Sequence, residues 1–438
     1  MADADPRRIA LQGAAAMAAA MGVGRFAYTP ILPLMHSQAG LSPQLGSELA
    51  TANYVGYLAG ALAAIAVPAL VRSRTALRVS LVLVTVSLAL MPVTRDGSAW
   101  FALRLVAGAS SALVFVIAAG ALIVALRDHA DHLTGWGFGG VGAGIALSGA
   151  LVLALRDAGT WRQAWWLVAA LSLALAIPAW RLPTEQPPTN GAAPAKHADR
   201  PPADGAVPAT PVERLPTDGI VPPRRAERLP TDGIVPAKQV ESGRASVASR
   251  GFAALVAAYF LEGVGYIIAG TFLVVAIDQS APSWVGTSAW VLVGLAALPS
   301  AALWAGLSRR WSRHRLLVAA LAVQAVGIAL PALVGGGAAL VSAVLFGGTF
   351  LGIATLALAI GARIGSARAV AVLTAAYGVG QIAGPILVTP LLHSGYHQAL
   401  VAGAMIVALA AVVAGPGPIR KANRHGYPKH DLQRDGSA

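Results

Sequence analysis

Runs of apolar residues dominate this sequence, and their length restricts what the chain can fold into. A helix needs about twenty residues to cross the roughly 30 Å hydrocarbon core of a bilayer, and the runs have that length or more. A membrane-spanning β-barrel would show segments of about ten residues that alternate apolar and polar, a pattern that is not found. The sequence therefore predicts an all-α membrane protein with twelve transmembrane helices, at residues 9–35, 47–70, 76–94, 99–126, 134–155, 160–181, 251–277, 284–307, 315–334, 338–362, 369–392 and 397–415.

The composition is also typical of a membrane protein. Of all residues, 56% are hydrophobic and 12% are charged, against about 25% charged in an ordinary soluble domain. The net charge of +13 could indicate a nucleic-acid partner, but the basic residues lie in the predicted loops, so we expect none. The lack of cysteine excludes disulfides, thiolate catalysis and cysteine metal sites. We predict no metal and no cofactor.

Lysine and arginine crowd every second predicted loop, which sets the orientation. Basic residues follow spans two, four, eight, ten and twelve, whereas the opposite loops contain only Arg95, Arg156 and Arg162. Because basic loops stay in the cytoplasm, the N- and C-termini are both predicted to be cytoplasmic. The first apolar run has no clear small-residue cleavage site, so we expect a retained first span. The sequence thus predicts a multi-pass, monomeric protein in the lipid bilayer of a bacterial cytoplasmic (inner) membrane.

A polar segment at residues 182–249 divides the spans six and six. Its many Pro, Asp, Arg and Gly residues bury too little apolar surface to order the chain. It repeats Glu-Arg-Leu-Pro-Thr-Asp-Gly-Ile-Val-Pro at 213–222 and 227–236; such repeats can form a binding array, but we favour a solvated tether. The sequence therefore predicts six-helix bundles at 1–181 and 250–416, a disordered cytoplasmic linker with 14-residue repeats at 182–249, and a cytoplasmic tail at 417–438.

The two halves share short motifs at equivalent spans. Met21-Gly-Val-Gly-Arg25 in span one aligns with Glu262-Gly-Val-Gly-Tyr266 in span seven. Gly-Val-Gly at 140–142 in span five aligns with the same motif at 378–380 in span eleven. Each match is short, but each falls at the same place in its half. The pattern indicates an internal repeat of six helices.

With these features the sequence resembles the major facilitator superfamily, and more narrowly its YbfB/YjiJ-type subgroup. The subgroup resemblance rests on residues 21–33, 52–60 and 259–266, and Arg-Leu-Val-Ala-Gly at 104–108 resembles a superfamily pattern in span four. The resemblance implies the major facilitator fold and the transport of a small organic solute by alternating access. The loop at 71–78 keeps the positive charges of the superfamily's gating motif but lacks its Asp and second Gly. The usual gating role is therefore not expected for that loop.

Two ionisable residues lie well inside predicted spans, Arg25 in span one and Glu262 in span seven. Each costs about 2.5–3.5 kcal/mol at a helix centre on insertion scales, so both should face protein or water. In the implied fold, spans one and seven line a watery central cavity. We expect Arg25 to receive an anionic or hydrogen-bonding group of the solute there, and Glu262 to bind and release a proton. The alternative is a permanent ion pair between them that only fixes helix packing.

Other polar side chains follow helical spacing and should face the same cavity. Tyr259 and Tyr266 flank Glu262 on span seven, and Tyr28 lies one turn from Arg25 on span one. Spans two and eleven carry similar polar stripes. The predicted solute-binding residues are Arg25, Tyr28, Asn53, Tyr57, Tyr259, Tyr266, Tyr377 and Gln381, with Glu262 as the proton-coupling residue.

Glycine and proline indicate where helices can move. Glycine lets membrane helices approach closely, and proline removes a backbone donor and bends a helix. Both residues are also common in membrane helices generally. The predicted structural or gating residues are Arg104, Gly142, Gly149, Gly384 and Pro385, although Arg104 could instead extend to the membrane interface. The glycine-rich fifth span resembles that of exporters, which favours export slightly over uptake.

Other functions fit the sequence less well. It has no Gly-xxxx-Gly-Lys-Ser/Thr loop, so nucleotide-driven pumping is not expected. The alternative to a transporter is a membrane-embedded enzyme acting on a lipid-phase substrate, which would need a cluster such as Asp128, His129, Asp131 and His132. We favour a solvated turn at that cluster. We predict no enzyme and no catalytic residue, but a secondary active transporter that couples a small solute to protons.

Overall fold

Twelve helices are long and apolar enough to cross a membrane in the part of the chain that the structure describes. The computed structural model describes residues 5–126, 131–155, 158–184, 237–363 and 367–415. We number the spanning segments α1 to α12; they are Pro6–Ala39, Pro43–Ala66, Arg74–Val93, Gly97–Ala125, Leu133–Ala154, Trp161–Ala179, Gly251–Asp278, Trp284–Leu307, Arg313–Val334, Gly336–Ala362, Ala369–Ser394 and Tyr396–Val413. The predicted number of spans and the all-α fold class are confirmed.

Side-chain caps and glycines explain where several helices begin and end. The hydroxyls of Ser42, Ser73 and Ser312 accept a backbone N–H at the starts of α2, α3 and α9. Asp96 does the same for α4, and hydrogen bonds from Ser98 and the Ala99 N–H lower the pKa of its carboxyl. The left-handed conformation at Gly40, with φ of 71°, ends α1.

The boundaries of the predicted linker differ from those in the structure. Leu182 is buried, and the Thr184 hydroxyl donates to the Arg72 carbonyl at 3.3 Å, so the N-terminal bundle extends past residue 181. The helix that contains α7 begins at Ala237 rather than at residue 251. Residues 185–236, which include both copies of the repeat, and residues 416–438 lie outside the described residues.

Glycines of α5 and α11 bring helices close together within each half. In the N-terminal half, a Cβ on Gly144 of α5 would lie 2.4 Å from the Ala18 carbonyl oxygen of α1. In the C-terminal half, a Cβ on Gly380 of α11 would lie 2.4 Å from the Phe260 carbonyl oxygen of α7. Gly384, one turn further, similarly packs on Ile267. Spans one and five therefore pack as spans seven and eleven do, in agreement with an internal repeat.

The two halves meet along α5 and α8, and along α2 and α11. Gly142 and Gly149 of α5 face α8, where a Cβ on Gly142 would lie 2.4 Å from the Leu298 backbone nitrogen. From the other side, a Cβ on Gly294 would lie 2.2 Å from the Ala146 nitrogen. Because backbone approaches backbone here, no side-chain rotation could make room for a methyl group.

We predict that Gly142→Ala destabilises the protein by about 1–3 kcal/mol, because the added methyl forces α5 away from α8. The measurement is the thermal unfolding midpoint of purified protein in detergent. The matched control is Gly348→Ala, since a Cβ at Gly348 meets no atom within 4 Å. Its midpoint should stay the same or rise slightly, because alanine favours helix over glycine. Equal midpoints for the two variants would contradict the close packing of α5 on α8.

Candidate functional site

The middle of α1 is not a regular α-helix, and Arg25 lies at the end of the irregular segment. Residues Ala18–Arg25 form a π-helix, and the next N–H, that of Phe26, donates to the Met21 carbonyl at 3.3 Å. Such a wide turn interrupts the usual pattern of backbone bonds and frees carbonyl groups for other donors. The chain resumes an α-helix at Tyr28.

Arg104 of α4 bonds carbonyl groups that the π-helix leaves free. Its guanidinium donates to the carbonyls of Gly24 at 3.3 Å and of Arg25 at 3.2 Å. The Asn53 side-chain amide in turn donates to the Arg104 carbonyl at 3.0 Å. Arg104 is only 2% exposed, so the alternative that it extends to the membrane interface is wrong. These contacts fix the backbone that carries Arg25.

The Arg25 guanidinium lies at the interface between the two halves. Its Nη2 donates to Oε1 of Gln381 on α11 at 2.8 Å. Its Cζ lies 4.3 Å from the centre of the Tyr57 ring and 5.0 Å from that of Tyr54. Both are cation–π distances. Arg25 is 3% exposed and its Nε has no hydrogen-bond partner. The structure thus brings together three predicted residues, Arg25, Tyr57 and Gln381.

Glu262 does not neutralise this charge. Its side chain is buried, and neither carboxyl oxygen has a hydrogen-bond partner. The side-chain amide of Gln324 on α9 lies beside this carboxyl. That amide is also fully buried, and neither its nitrogen nor its oxygen has a hydrogen-bond partner of normal geometry. No ion pair joins Arg25 to Glu262, and both belong to the described part of the chain. The alternative of a permanent ion pair is therefore wrong.

Aromatic rings line the site on the side of the C-terminal half. Tyr259 and Tyr377 stack with ring centres 4.5 Å apart, and Tyr266 stacks on Phe350 at 5.0 Å. Tyr266 and Tyr377 are 6.0 Å apart, which joins the two pairs. The Tyr266 hydroxyl is buried without a hydrogen-bond partner. The three predicted tyrosines therefore form one continuous stack.

Two predicted solute-binding residues lie elsewhere. The Tyr28 hydroxyl donates to the Gly46 carbonyl at 2.8 Å, and its ring lies 4.9 Å from the Arg104 Cζ. The Asn53 amide holds Arg104, as described above, while its Oδ1 has no partner. Both residues support the backbone behind Arg25 and do not touch its guanidinium.

Sequence patterns missed several residues of the site. Tyr54 contacts Arg25, Gln324 lies beside Glu262, and Phe350 extends the aromatic stack. Tyr54 directly follows the predicted Asn53 in the sequence. Gln324 is a polar residue within an apolar span, a pattern that could have indicated a functional site. Phe350 carries no signal, because phenylalanine is common in such spans.

Hydrogen bonds seal the interface on one side of Arg25. They join Thr29 to the Gly270 carbonyl at 2.6 Å, Tyr54 to Thr271 at 2.7 Å and His36 to Tyr396 at 3.0 Å. The Ser47 hydroxyl bonds the Pro385 carbonyl and the Thr389 hydroxyl, at 3.1 and 2.9 Å. Pro385 thus takes part in the seal through its carbonyl.

The sequence predicts a watery central cavity around Arg25 and Glu262, but the structure does not show one around these two side chains. Arg25 and Glu262 are buried among packed side chains, chiefly the tyrosines and Gln381. Two cavities, of about 800 and 310 Å³, lie near the N-terminal end of α1, and neither is lined by Arg25 or Glu262. In this structure packed side chains therefore enclose Arg25 and Glu262, while Tyr57 and Tyr377 beside them are partly exposed.

The second candidate cluster falls largely outside the described residues. Asp128 and His129 lie outside the described residues, as do the side chains of Asp131 and His132. Within the described ranges, no group of three or more His, Asp or Glu residues could hold a metal ion.

Comparisons with known proteins agree with this architecture. The family model "Uncharacterised MFS-type transporter YbfB" matches residues 17–210 and 229–415. No curated protein matches the chain. Among solved structures, a mutant of the nucleoside transporter NupG has a TM-score of 0.62 at 12% identity, over 93% of this chain and 98% of that chain. A D-xylose-proton symporter has a TM-score of 0.62 at 12% identity, over 94% and 97%. These similarities show the shared fold, and the family match shows that the chain belongs to the major facilitator superfamily, in the YbfB-type family of transporters.

Proposed function

We propose that this transporter carries a small organic anion and that Arg25 receives the anionic group. The observation that carries the proposal is a buried guanidinium that no carboxylate of the described residues neutralises. An uncompensated buried charge costs several kcal/mol, and a neutral amide such as Gln381 offsets only part of that cost. A carboxylate or phosphate on the solute would supply the missing negative charge, in the two-pronged geometry that guanidinium groups favour.

The surrounding rings support an organic rather than an inorganic anion. Tyr54 and Tyr57 lie against Arg25, and the stack of Tyr259, Tyr377 and Tyr266 continues across α7 and α11. Aromatic faces bind apolar or flat groups, and the Tyr266 hydroxyl, which has no partner, is available as a hydrogen-bond donor. A solute with a charged end and an apolar body fits both parts of the site.

Binding of an anion would also act on the seal between the halves. Arg25 donates to Gln381 across the interface, and an anion would compete with the Gln381 carbonyl for the same N–H group. The solute thereby replaces a contact between the halves with a contact to itself. A ligand shifts a conformational equilibrium only through such differences in contacts between the states. Alternating access follows if the remaining bonds, such as that of Ser47 to Thr389, then open.

We assign proton coupling to Glu262. A charge on this carboxyl would have no partner in the closed structure, and an unpaired buried charge is costly. Binding a proton removes the charge, and release requires access to water. Opening and closing of the interface would therefore alternate the two forms. We further propose that the N-terminal side faces the cytoplasm at a bacterial inner membrane, because basic loops stay in the cytoplasm, and that the direction of transport is export, as the glycine-rich α5 favours.

The role of Arg25 predicts a charge preference that binding can test. Isothermal titration of the detergent-solubilised protein would compare benzoate, succinate and glycerol 3-phosphate with benzamide, succinamide and glycerol. At least one anion should bind at least tenfold more tightly than its neutral counterpart. Arg25→Gln should weaken that anion about 10- to 100-fold, because a hydrogen bond to a charged group contributes about 1.5–3 kcal/mol. Arg25→Lys should retain part of the affinity.

The control for this titration is Arg78→Gln, which removes an arginine that donates to the Trp180 carbonyl near the membrane surface. Its anion affinity should equal that of the wild type. Equal affinities for an anion and its neutral counterpart, or no loss in Arg25→Gln, would contradict the proposal.

The role of Glu262 predicts that solute and proton movement can be separated. Proteoliposomes containing a pH-sensitive dye would receive the anion that binds in the titration. The wild type should move protons, in the same or the opposite direction, whenever the anion crosses, whereas Glu262→Gln should exchange the anion but move no protons. Glu48→Gln is the control, because Glu48 is an exposed acid bonded to Gln44. If Glu262→Gln moves protons as the wild type does, Glu262 is not the coupling group. The direction of proton movement relative to that of the anion distinguishes symport from antiport, which correspond to uptake and export when the proton gradient is directed into the cell.

A further inference from the structure

A groove of about 800 Å³ lies on the exposed surface of the helices of the N-terminal half, away from the Arg25 site. It is formed by α1, α3 and α6 near the N-terminal end of α1. From Trp180 back to Leu173 it follows α6 for about two helical turns, or roughly 10 Å. The groove therefore runs from the end of the helices into the membrane-spanning region.

The mouth and the floor of the groove differ in chemistry. Arg8 and Arg181, both exposed, line the mouth beside Trp180. A third arginine, Arg78, lies with its Cζ 5.2 Å from the Trp180 ring. The floor is apolar and largely exposed, and consists mainly of Leu11, Val82, Val86, Leu173 and Ile177. A ligand that fits has a negative end and an apolar body.

Gln12 provides an independent indication of a ligand. Its side chain is 7% exposed and lines the groove. Its amide makes no hydrogen bond to any described residue, and its polar atoms remain accessible from the groove. Thr85, which lines the same wall, is in contrast bonded to Ser172 at 3.0 Å. The Gln12 amide is thus free to bond a polar group that enters the groove.

We propose that this groove binds one phospholipid with an anionic headgroup. The phosphate lies between Arg8 and Arg181, the Gln12 amide bonds the glycerol ester region, and an acyl chain covers the apolar floor. Basic pockets between membrane helices near the bilayer surface favour anionic headgroups, by about 1 kcal/mol for each Arg or Lys. The bound lipid would hold the start of α1 against α3 and α6. This site is independent of the solute that the transporter carries.

Native mass spectrometry of the full chain can test the lipid preference. The probes are phosphatidylglycerol and phosphatidylcholine with identical acyl chains. The wild type should bind phosphatidylglycerol at least tenfold more tightly, and the double variant Arg8→Gln/Arg181→Gln should lose this preference. The matched control is Arg310→Gln/Arg315→Gln, which removes two exposed arginines on the same side of the C-terminal half. It should retain the preference.

Two further measurements separate a lipid site from a surface charge effect. Val86→Trp fills the floor and leaves both arginines; because Val86 is 44% exposed, the fold should tolerate it. It should weaken phosphatidylglycerol binding at least tenfold. Glycerol 3-phosphate at the lipid's concentration should not displace the lipid. Equal binding of the two lipids, equal losses in the two double variants, unchanged binding in Val86→Trp, or displacement by glycerol 3-phosphate would each overturn the proposal.

Discussion

A buried guanidinium without a carboxylate partner is the constraint on which the rest of the site depends. Arg25 lies at the meeting point of the two halves, where a hydrogen bond from its guanidinium joins α1 to Gln381 of α11. The charge is surrounded by rings and a neutral amide, which stabilise it only in part. We propose that a bound anion stabilises this site, and that this difference links solute binding to the contact between the halves.

Several buried polar groups hold the backbone of α1 in place at Arg25. The π-helix at Ala18–Arg25 frees backbone carbonyls, and Arg104 satisfies two of them while Asn53 holds Arg104. The superfamily-like Arg104 therefore acts on the site through the backbone of α1. Beyond Arg25, the bonds of Ser47, Tyr54 and His36 close the interface. The site thus combines a rigid support for the Arg25 charge with a set of hydrogen bonds between the halves, and we propose that these bonds open during transport.

Much of the fold followed from the sequence, because span length and apolar content are local properties of the chain. The shared Gly-Val-Gly motifs also identified helices that pack closely, since only glycine permits such approach. Helical spacing correctly grouped Tyr259 with Tyr266. It misplaced Tyr28 relative to Arg25, because the π-helix and the turn at Phe26 change the direction of the side chains that follow. The separation of Glu262 from Arg25 depends on how α7 packs against α9, which periodicity along one helix cannot give.

The most direct test of this account supplies the missing charge within the protein itself. Gln381→Glu is nearly isosteric and places a carboxylate where the Arg25 N–H now meets a neutral oxygen at 2.8 Å. A charged acceptor strengthens such a bond, so the thermal unfolding midpoint should rise. Organic anions should then bind at least tenfold more weakly, because the position for their negative group is occupied. Anion affinity equal to that of the wild type in Gln381→Glu would contradict the account.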